Sequence, residues 1–190
     1  MKVPFTLFLA GLLASLLFAQ TVPTDAVSSM EAKLQHIASN ADATPPDQTP
    51  TELTEQEVNA YFAAGKIKLP NGVKSVMFSG RPGVISAVAR VDFDLVRGGR
   101  SSYNPLLSVF NGEHNVGVVA RAYAAGGEGM VHVENVTLDD VEIPKFALQM
   151  FVEKYVTQKH PNIGLDSRFA LPDRIDTASV GSHTLAITQK

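Results

Sequence analysis

The chain has 190 residues, about the length of one domain, and its composition of 45% hydrophobic and 18% charged residues excludes an intrinsically disordered protein. Its formal net charge of −3 at pH 7 provides no positive field to hold a nucleic-acid backbone, so no nucleic-acid partner is expected. The absence of cysteine excludes thiolate metal sites, thiol nucleophiles and disulfide bonds.

Residues 1–19 have the pattern of a signal peptide. Lys2 provides a positive start, and an uncharged apolar stretch from Val3 to Phe18 follows it. This stretch is shorter than the roughly 20 apolar residues that a membrane-spanning helix needs. We therefore predict export to the periplasm or the extracellular space, with cleavage after Ala19. An uncleaved N-terminal membrane anchor is the alternative.

Residues 20–50 are rich in Thr, Ser, Asp, Ala and Pro, a composition typical of a linker. Within them apolar residues recur at spacings of three and four, which predicts a short amphipathic helix over 25–39. The residues that form its apolar face are Val27, Met30, Leu34 and Ile37. Such a helix would pack on the following domain or lie on a membrane surface; a partly frayed helix is the alternative.

The predicted domain covers residues 51–190 and begins with a capping-box pattern. Thr54 can accept a hydrogen bond from first-turn amides, and Glu57 can reach back to the start of the helix. Apolar residues then follow at helical spacing, and Gly65 suits the end of a helix. The pattern predicts a helix over residues 55–64.

The following segments alternate between apolar and polar residues with the period of a β-strand. The longest run is Val84 to Leu95, which pairs across a Gly-rich turn with a strand over 73–78. Two further hairpins are predicted, so antiparallel sheet dominates. Their strands cover residues 115–124 with 130–138, and 175–180 with 183–188.

A helix over residues 144–158 interrupts the strands. Pro144 is placed at its first position and Pro161 prevents its continuation. Its apolar residues cover about half of its circumference, more than the roughly 100° stripe of an ordinary surface helix. The predicted fold is therefore α+β, with a long curved antiparallel sheet wrapped around one apolar α-helix and a short N-terminal helix. The space between them is either a packed core or a groove for an acyl chain.

The order of these elements resembles that of small extracytoplasmic bacterial proteins of the tubular lipid-binding superfamily, such as YpmS-like and LmeA-like domains. The resemblance rests on the motif from Leu53 to Asn59, on the proline-started helix, on Phe169 to Pro172, and on the closing hairpin. It covers about residues 51–190. It implies the fold and an association with membrane lipids, and no catalytic signature comes with it.

The sequence contains no recognisable catalytic or metal-binding motif. Its five histidines form no His-x-His or His-x-x-x-His pair, and no Gly-x-Ser-x-Gly elbow is present. We predict no catalytic residues, no metal and no cofactor. The remaining enzymatic alternative is a lipid hydrolase that uses Asp139, Asp140 or His114.

These patterns favour an exported lipid-binding protein that holds an acyl chain between the sheet and the helix over 145–158. A loop containing Arg97 and Arg100 is predicted to bind a lipid phosphate at the mouth of the groove. The predicted lining residues are Phe146, Met150, Phe151 and Tyr155. The alternative is a non-enzymatic cell-envelope protein with a closed core that binds an unidentified protein through an exposed strand or this loop.

Overall fold

The computed structural model describes residues 24–98, 108–158 and 161–190. Within these residues the chain forms four α-helices, a π-helical turn and nine strands. In chain order these are α1 (Thr24–Ala41), β1 (Thr51–Thr54), α2 (Glu55–Ala63), β2 (Val73–Arg81), β3 (Val84–Asp92), α3 (Phe93–Arg97), β4 (Glu113–Ala125), β5 (Glu128–Leu138), β6 (Val141–Glu142), α4 (Lys145–Phe151), the π-helical turn (Val152–Val156), β7 (Asp166–Ala170), β8 (Ile175–Val180) and β9 (Thr184–Gln189).

The nine described strands form one antiparallel sheet, so the predicted α+β class is confirmed. The main path runs β1-β9-β8-β4-β3-β2, and β5 pairs with the other edge of β4. Strands β6 and β7 in turn pair with β5. Strand β3 pairs with β4 as far as Arg121, and β8 meets the same edge of β4 at Ala124. The predicted hairpins β2–β3, β4–β5 and β8–β9 are all present.

The predicted strand from Val84 to Leu95 is wrong at its C-terminal end, because β3 stops at Asp92. The Asp92 carboxylate accepts hydrogen bonds from the backbone N–H groups of Asp94 and Leu95, at 3.1 and 3.2 Å. These bonds cap helix α3, which begins at Phe93, where the predicted strand was expected to continue to Leu95. The alternation of apolar and polar residues continues past Asp92, but the hydrogen bonds from its side chain hold the following backbone in a helical conformation.

Helix α2 begins with the predicted capping box. The Thr54 N–H donates to Glu57 Oε2 at 2.7 Å, and the Glu57 N–H donates to Thr54 Oγ1 at 3.2 Å. One turn later, the Asn59 side chain binds both the N–H and the carbonyl of Phe78 on strand β2. Helix α2 therefore covers an edge of the sheet that would otherwise expose unpaired backbone groups.

The carboxylate of Glu57 links α2 to α1. Lys33 Nζ lies 2.7 and 2.8 Å from its two oxygens, and Ser29 Oγ also donates to it. Burial acts to raise the pKa of Glu57, but hydrogen bonds from Lys33, Ser29 and Thr54 outweigh burial and lower the pKa to about 2. The paired charge thus fixes how the two helices cross.

The helix predicted within residues 20–50 is present as α1, and it contributes to the core beside β1 and β9. Met30 and Ile37 form a buried cluster with Leu53 and Ile187. At the end of α1, Asn40 Nδ2 donates to Gln189 Oε1 at 2.9 Å, deep in the protein. Residues 1–19, the predicted signal peptide, lie outside the described residues.

The larger hydrophobic cluster lies between α4 and strands β3, β4 and β5. Its largest fully buried side chain among the described residues is Phe110. Helix α4 begins at Lys145 with Pro144 as its N-cap, one residue later than predicted, and continues into the π-helical turn. The buried members of this cluster are Val91, Phe93, Phe110, Val136, Leu138, Ile143, Ala147, Leu148, Phe151 and Tyr155.

Replacing Glu57 with Gln should lower the free energy of unfolding at pH 7 by on the order of 3 kcal/mol, because Lys33 loses its charged partner. The folded pKa lies below the unfolded value, so this stabilisation is present above about pH 4.5 and is lost as the pH falls towards 2. Urea unfolding of both proteins at several pH values measures the effect.

The matched control is Glu52→Gln, at an exposed position on the neighbouring strand β1. It should leave the free energy of unfolding within about 0.5 kcal/mol of the wild type. Equal losses in the two variants at pH 7 would contradict the role given to Glu57.

Candidate functional site

A cavity of about 240 Å³ lies between α4 and the sheet, and every side chain that lines it is apolar. We call it the apolar cavity. Strands β4 and β5 supply a wall of valines, and helix α3, helix α4 and the start of the π-helical turn supply the opposite side. The lining residues are Val91, Phe93, Val96, Phe110, Val116, Val118, Val133, Val136, Leu138, Leu148, Phe151, Val152, Gly164 and Leu165.

Aromatic rings close one side of the apolar cavity. Phe151 stacks on Phe110 with a ring-centroid distance of 4.4 Å, and Phe93 meets both rings at 5.3 to 5.4 Å. Tyr155 follows at 5.1 Å from Phe151. These aromatic contacts position the helix over the sheet while the short valines opposite leave space.

The four side chains predicted as lining residues have different environments. Phe151 lines the apolar cavity directly. Met150 packs against the same cluster and is partly buried, whereas Phe146 is 56% exposed. Tyr155 is buried beside Phe151, and its hydroxyl has no hydrogen-bond partner within the described part of the chain. The helix therefore turns Phe151 and Tyr155 inward and Phe146 outward.

Arg97 lies on helix α3, next to two residues of the apolar cavity. Its guanidinium pairs with Asp94 and its Nε donates to the carbonyl of Phe93 at 3.3 Å. Its side chain is only 11% exposed, so the guanidinium lies along its own helix. Arg100, the other predicted phosphate-binding residue, lies outside the described residues.

The sequence prediction missed most of the lining residues. Val116 and Val118 of β4 alternate, and this alternation could have identified the face of β4 that lines the apolar cavity. Val133 and Val136 of β5 are three residues apart and share that face because a β-bulge lies between them, which a period of two does not predict. The contribution of helix α3 carried no such signal, because those residues were assigned to a strand.

A second, polar cavity of about 720 Å³ adjoins the apolar cavity at Val152, Gly164 and Leu165, which line both. It lies between the π-helical turn and strand β7, and its walls mix apolar with polar and charged side chains. The other lining residues are Met130, Gln149, Glu153, Thr157, Pro161, Asn162, Ile163, Asp166, Ser167 and Arg168.

A third cavity, of about 150 Å³, lies under helix α2 and is mostly apolar. At its rim, His183 Nδ1 lies 2.7 Å from Glu55 Oε2, which also accepts the Gly80 N–H at 3.0 Å. The Gly80 N–H, followed by the His183 side chain, lowers the pKa of Glu55. This cavity does not touch α4, so it is not the space in which the sequence predicts an acyl chain.

Two of the three candidate catalytic residues, His114 and Asp139, are occupied by structural contacts. His114 Nδ1 lies 2.6 Å from Asp139 Oδ2, and Nε2 lies 2.7 Å from the carbonyl oxygen of Asn111. Asp139 also accepts the N–H of Asn115, in a tight turn where Asp139 and Asp140 both have positive φ. Neither nitrogen of His114 remains for a substrate. Within the described residues, no group of three or more His, Cys, Asp or Glu side chains could hold a metal ion.

The chain matches no family model, no curated protein and no solved structure. The resemblance to tubular lipid-binding domains therefore stays a prediction. Among the described helices, none is long and apolar enough to cross a membrane.

The His114–Asp139 pair predicts a pH-dependent contribution to stability. The hydrogen bond from Asp139 raises the pKa of His114, opposed by partial burial and assisted by the Asn111 carbonyl. A raised folded-state pKa stabilises the protein below the unfolded pKa of about 6.5, and this effect is lost as the pH rises through the folded value. His114→Gln should therefore lower the thermal midpoint more at pH 5.5 than at pH 9.

The control is His36→Gln, at an exposed position on helix α1. Its thermal midpoint should follow that of the wild type at both pH values. An equal decrease for His114→Gln at pH 5.5 and pH 9 would contradict a charged His114.

Proposed function

We propose that this chain is an exported lipid-binding protein that holds an acyl chain between its antiparallel sheet and helix α4. The observation that carries the proposal is the lining of the apolar cavity, which consists only of Val, Phe, Leu and Gly. Such walls offer water no hydrogen-bond partners, so hydrocarbon is the occupant that they favour. The alternative, a cell-envelope protein that binds another protein, requires a closed core. An apolar cavity of about 240 Å³ within the core favours that alternative less.

In this proposal the sheet wraps around the helix, so that three strands supply walls of one site. Support comes from the buried cluster, where Val91 of β3 and Val136 and Leu138 of β5 pack with Leu148 and Phe151 of α4. The partly buried valines of β4 pack against the same cluster. An acyl chain in the apolar cavity would contact all three strands and the helix.

A binding role fits the lining better than a catalytic one. The apolar cavity contains no carboxylate, histidine or hydroxyl that could act on an ester bond. Among the described residues, the buried side-chain polar atom without a hydrogen-bond partner is the hydroxyl of Tyr155, in the π-helical turn, and Tyr155 does not line the apolar cavity.

Export is part of the proposal and rests on residues 1–19. Their short positive start and uncharged apolar core are typical of a signal peptide, and the absence of cysteine excludes a lipid anchor on an N-terminal cysteine. A periplasmic or extracellular protein with an apolar cavity could carry lipid between membrane surfaces. Detection of the chain beginning at Gln20 in a secreted fraction would support export.

Filling the apolar cavity tests the proposed function. Val118 points into it from the centre of β4, so Val118→Phe should occupy the space of the ligand and reduce uptake of a fluorescent fatty acid by at least about tenfold. Fluorescence titration measures uptake, and native mass spectrometry of gently purified protein detects lipid that has remained bound.

The matched control is Val88→Phe, on the adjacent strand β3 but 58% exposed on the outer face of the sheet. This variant should bind the fatty acid as the wild type does. Circular dichroism of both variants establishes that they are folded. Wild-type uptake by Val118→Phe, or no uptake by the unmodified protein, would contradict the proposal.

A further inference from the structure

The polar cavity is placed where the polar end of a bound amphiphile would emerge. It borders the apolar cavity along Val152, Gly164 and Leu165, which line both cavities, so a chain that passed between these residues would reach from one cavity into the other. Its volume of about 720 Å³ falls within the roughly 300–1,000 Å³ of small-molecule sites. The change from wholly apolar to mixed walls matches the change from tail to head group in a lipid.

Among the described residues, the charged side chains that line the polar cavity are one cation and two acids. Arg168, on strand β7, is exposed, and its side chain makes no hydrogen bond or ion pair with any described residue. Asp166 is paired with His132. Glu153 accepts a hydrogen bond from Gln149 Nε2 at 2.9 Å through one oxygen, and no hydrogen bond reaches its other oxygen from a described residue.

This arrangement favours a head group that carries both charges. A simple anion beside Arg168 would also face the carboxylates of Glu153 and Asp166, whose repulsion would offset the attraction. A phosphate with an attached amine would place its negative charge on the guanidinium and its positive charge on Glu153. A guanidinium suits phosphate because it offers several parallel N–H donors.

We propose that the polar cavity binds the zwitterionic phosphate–amine head group of a phospholipid-like amphiphile, with its phosphate on Arg168 and its ammonium on Glu153. The acyl chain then passes Gly164 into the apolar cavity. This inference rests on the proposed function and specifies the class of lipid that the site accepts.

Gly164 provides a direct test of the connection between the two cavities. A Cβ atom added there would meet its nearest neighbour, the Asp166 carbonyl oxygen, at 3.5 Å, which is ordinary contact. Gly164→Ala should therefore fold and bind normally. Gly164→Leu should narrow the passage and weaken binding of a lysophospholipid by at least about tenfold, since head and tail can no longer occupy both cavities together.

The head-group assignment is tested with three amphiphiles of the same acyl chain, lysophosphatidylethanolamine, lysophosphatidylglycerol and monoacylglycerol. Each competes with a bound fluorescent fatty acid. Arg168→Gln should weaken both phosphate-containing ligands by about tenfold and leave monoacylglycerol unchanged. Glu153→Gln should weaken only the ethanolamine ligand by a similar factor. Arg81→Gln, on β2 and outside both cavities, is the matched control and should change none of the three.

The outcomes separate this inference from the proposed function. If the fatty acid and monoacylglycerol bind but Arg168→Gln and Glu153→Gln behave as the wild type, the head-group site is wrong and acyl-chain binding stands. Tighter binding of lysophosphatidylglycerol than of lysophosphatidylethanolamine would also overturn the assignment of a zwitterionic head group. If the fluorescent fatty acid itself does not bind, the proposed function fails and this inference fails with it.

Discussion

The hydrogen bonding of strand β4 is the constraint on which the rest of the described structure depends. Each backbone N–H and carbonyl of a central strand needs a partner, and β4, with 13 residues, is longer than its neighbour β3, with 9. Where β3 ends, β8 meets the same edge of β4 and brings β9 and β1 with it. One strand thus joins two parts of the sheet, each covered by its own helices. Helix α4 covers the part built on β3, β4 and β5. Helix α1 covers the part built on β1 and β9, and helix α2 packs on α1 and binds the edge strand β2.

The apolar cavity follows from an unequal distribution of side-chain volume between helix and sheet. Phe93, Phe110 and Phe151 contact one another on the helix side, and this aromatic group positions α4 above the strands. The strands opposite present valines, which are too short to fill the space that the rings hold open. The backbone of the helix also departs from regular geometry at Val152, where the π-helical turn begins at the border of the two cavities. Such turns commonly occur at functional sites.

Polar contacts elsewhere make the N-terminal helix part of the same domain. The paired carboxylate of Glu57 connects α2 to α1, and the amide of Gln189 donates to the carbonyl of Ile37 at 2.8 Å. A buried amide or carboxylate requires such partners, so these contacts select one arrangement of the helices where apolar packing alone would permit several. The apolar and polar cavities therefore lie on one part of the sheet, and the polar network stabilises the other.

The sequence by itself determined the local elements whose signals are local. The capping box at Thr54 and Glu57, the Gly-rich hairpins and the proline before α4 each specify their backbone through neighbouring residues, and the structure contains all of them. Only the tertiary structure decided which side chains meet. Two examples are the packing of α1 on β9 and the valines that face Phe151. Both depend on partners far along the chain, and the pattern of residue types along the sequence does not specify which distant residues meet.

For the same reason the sequence identified a helix with a wide apolar face, whereas the folded chain decided that Phe151 faces the apolar cavity and that Phe146 faces solvent.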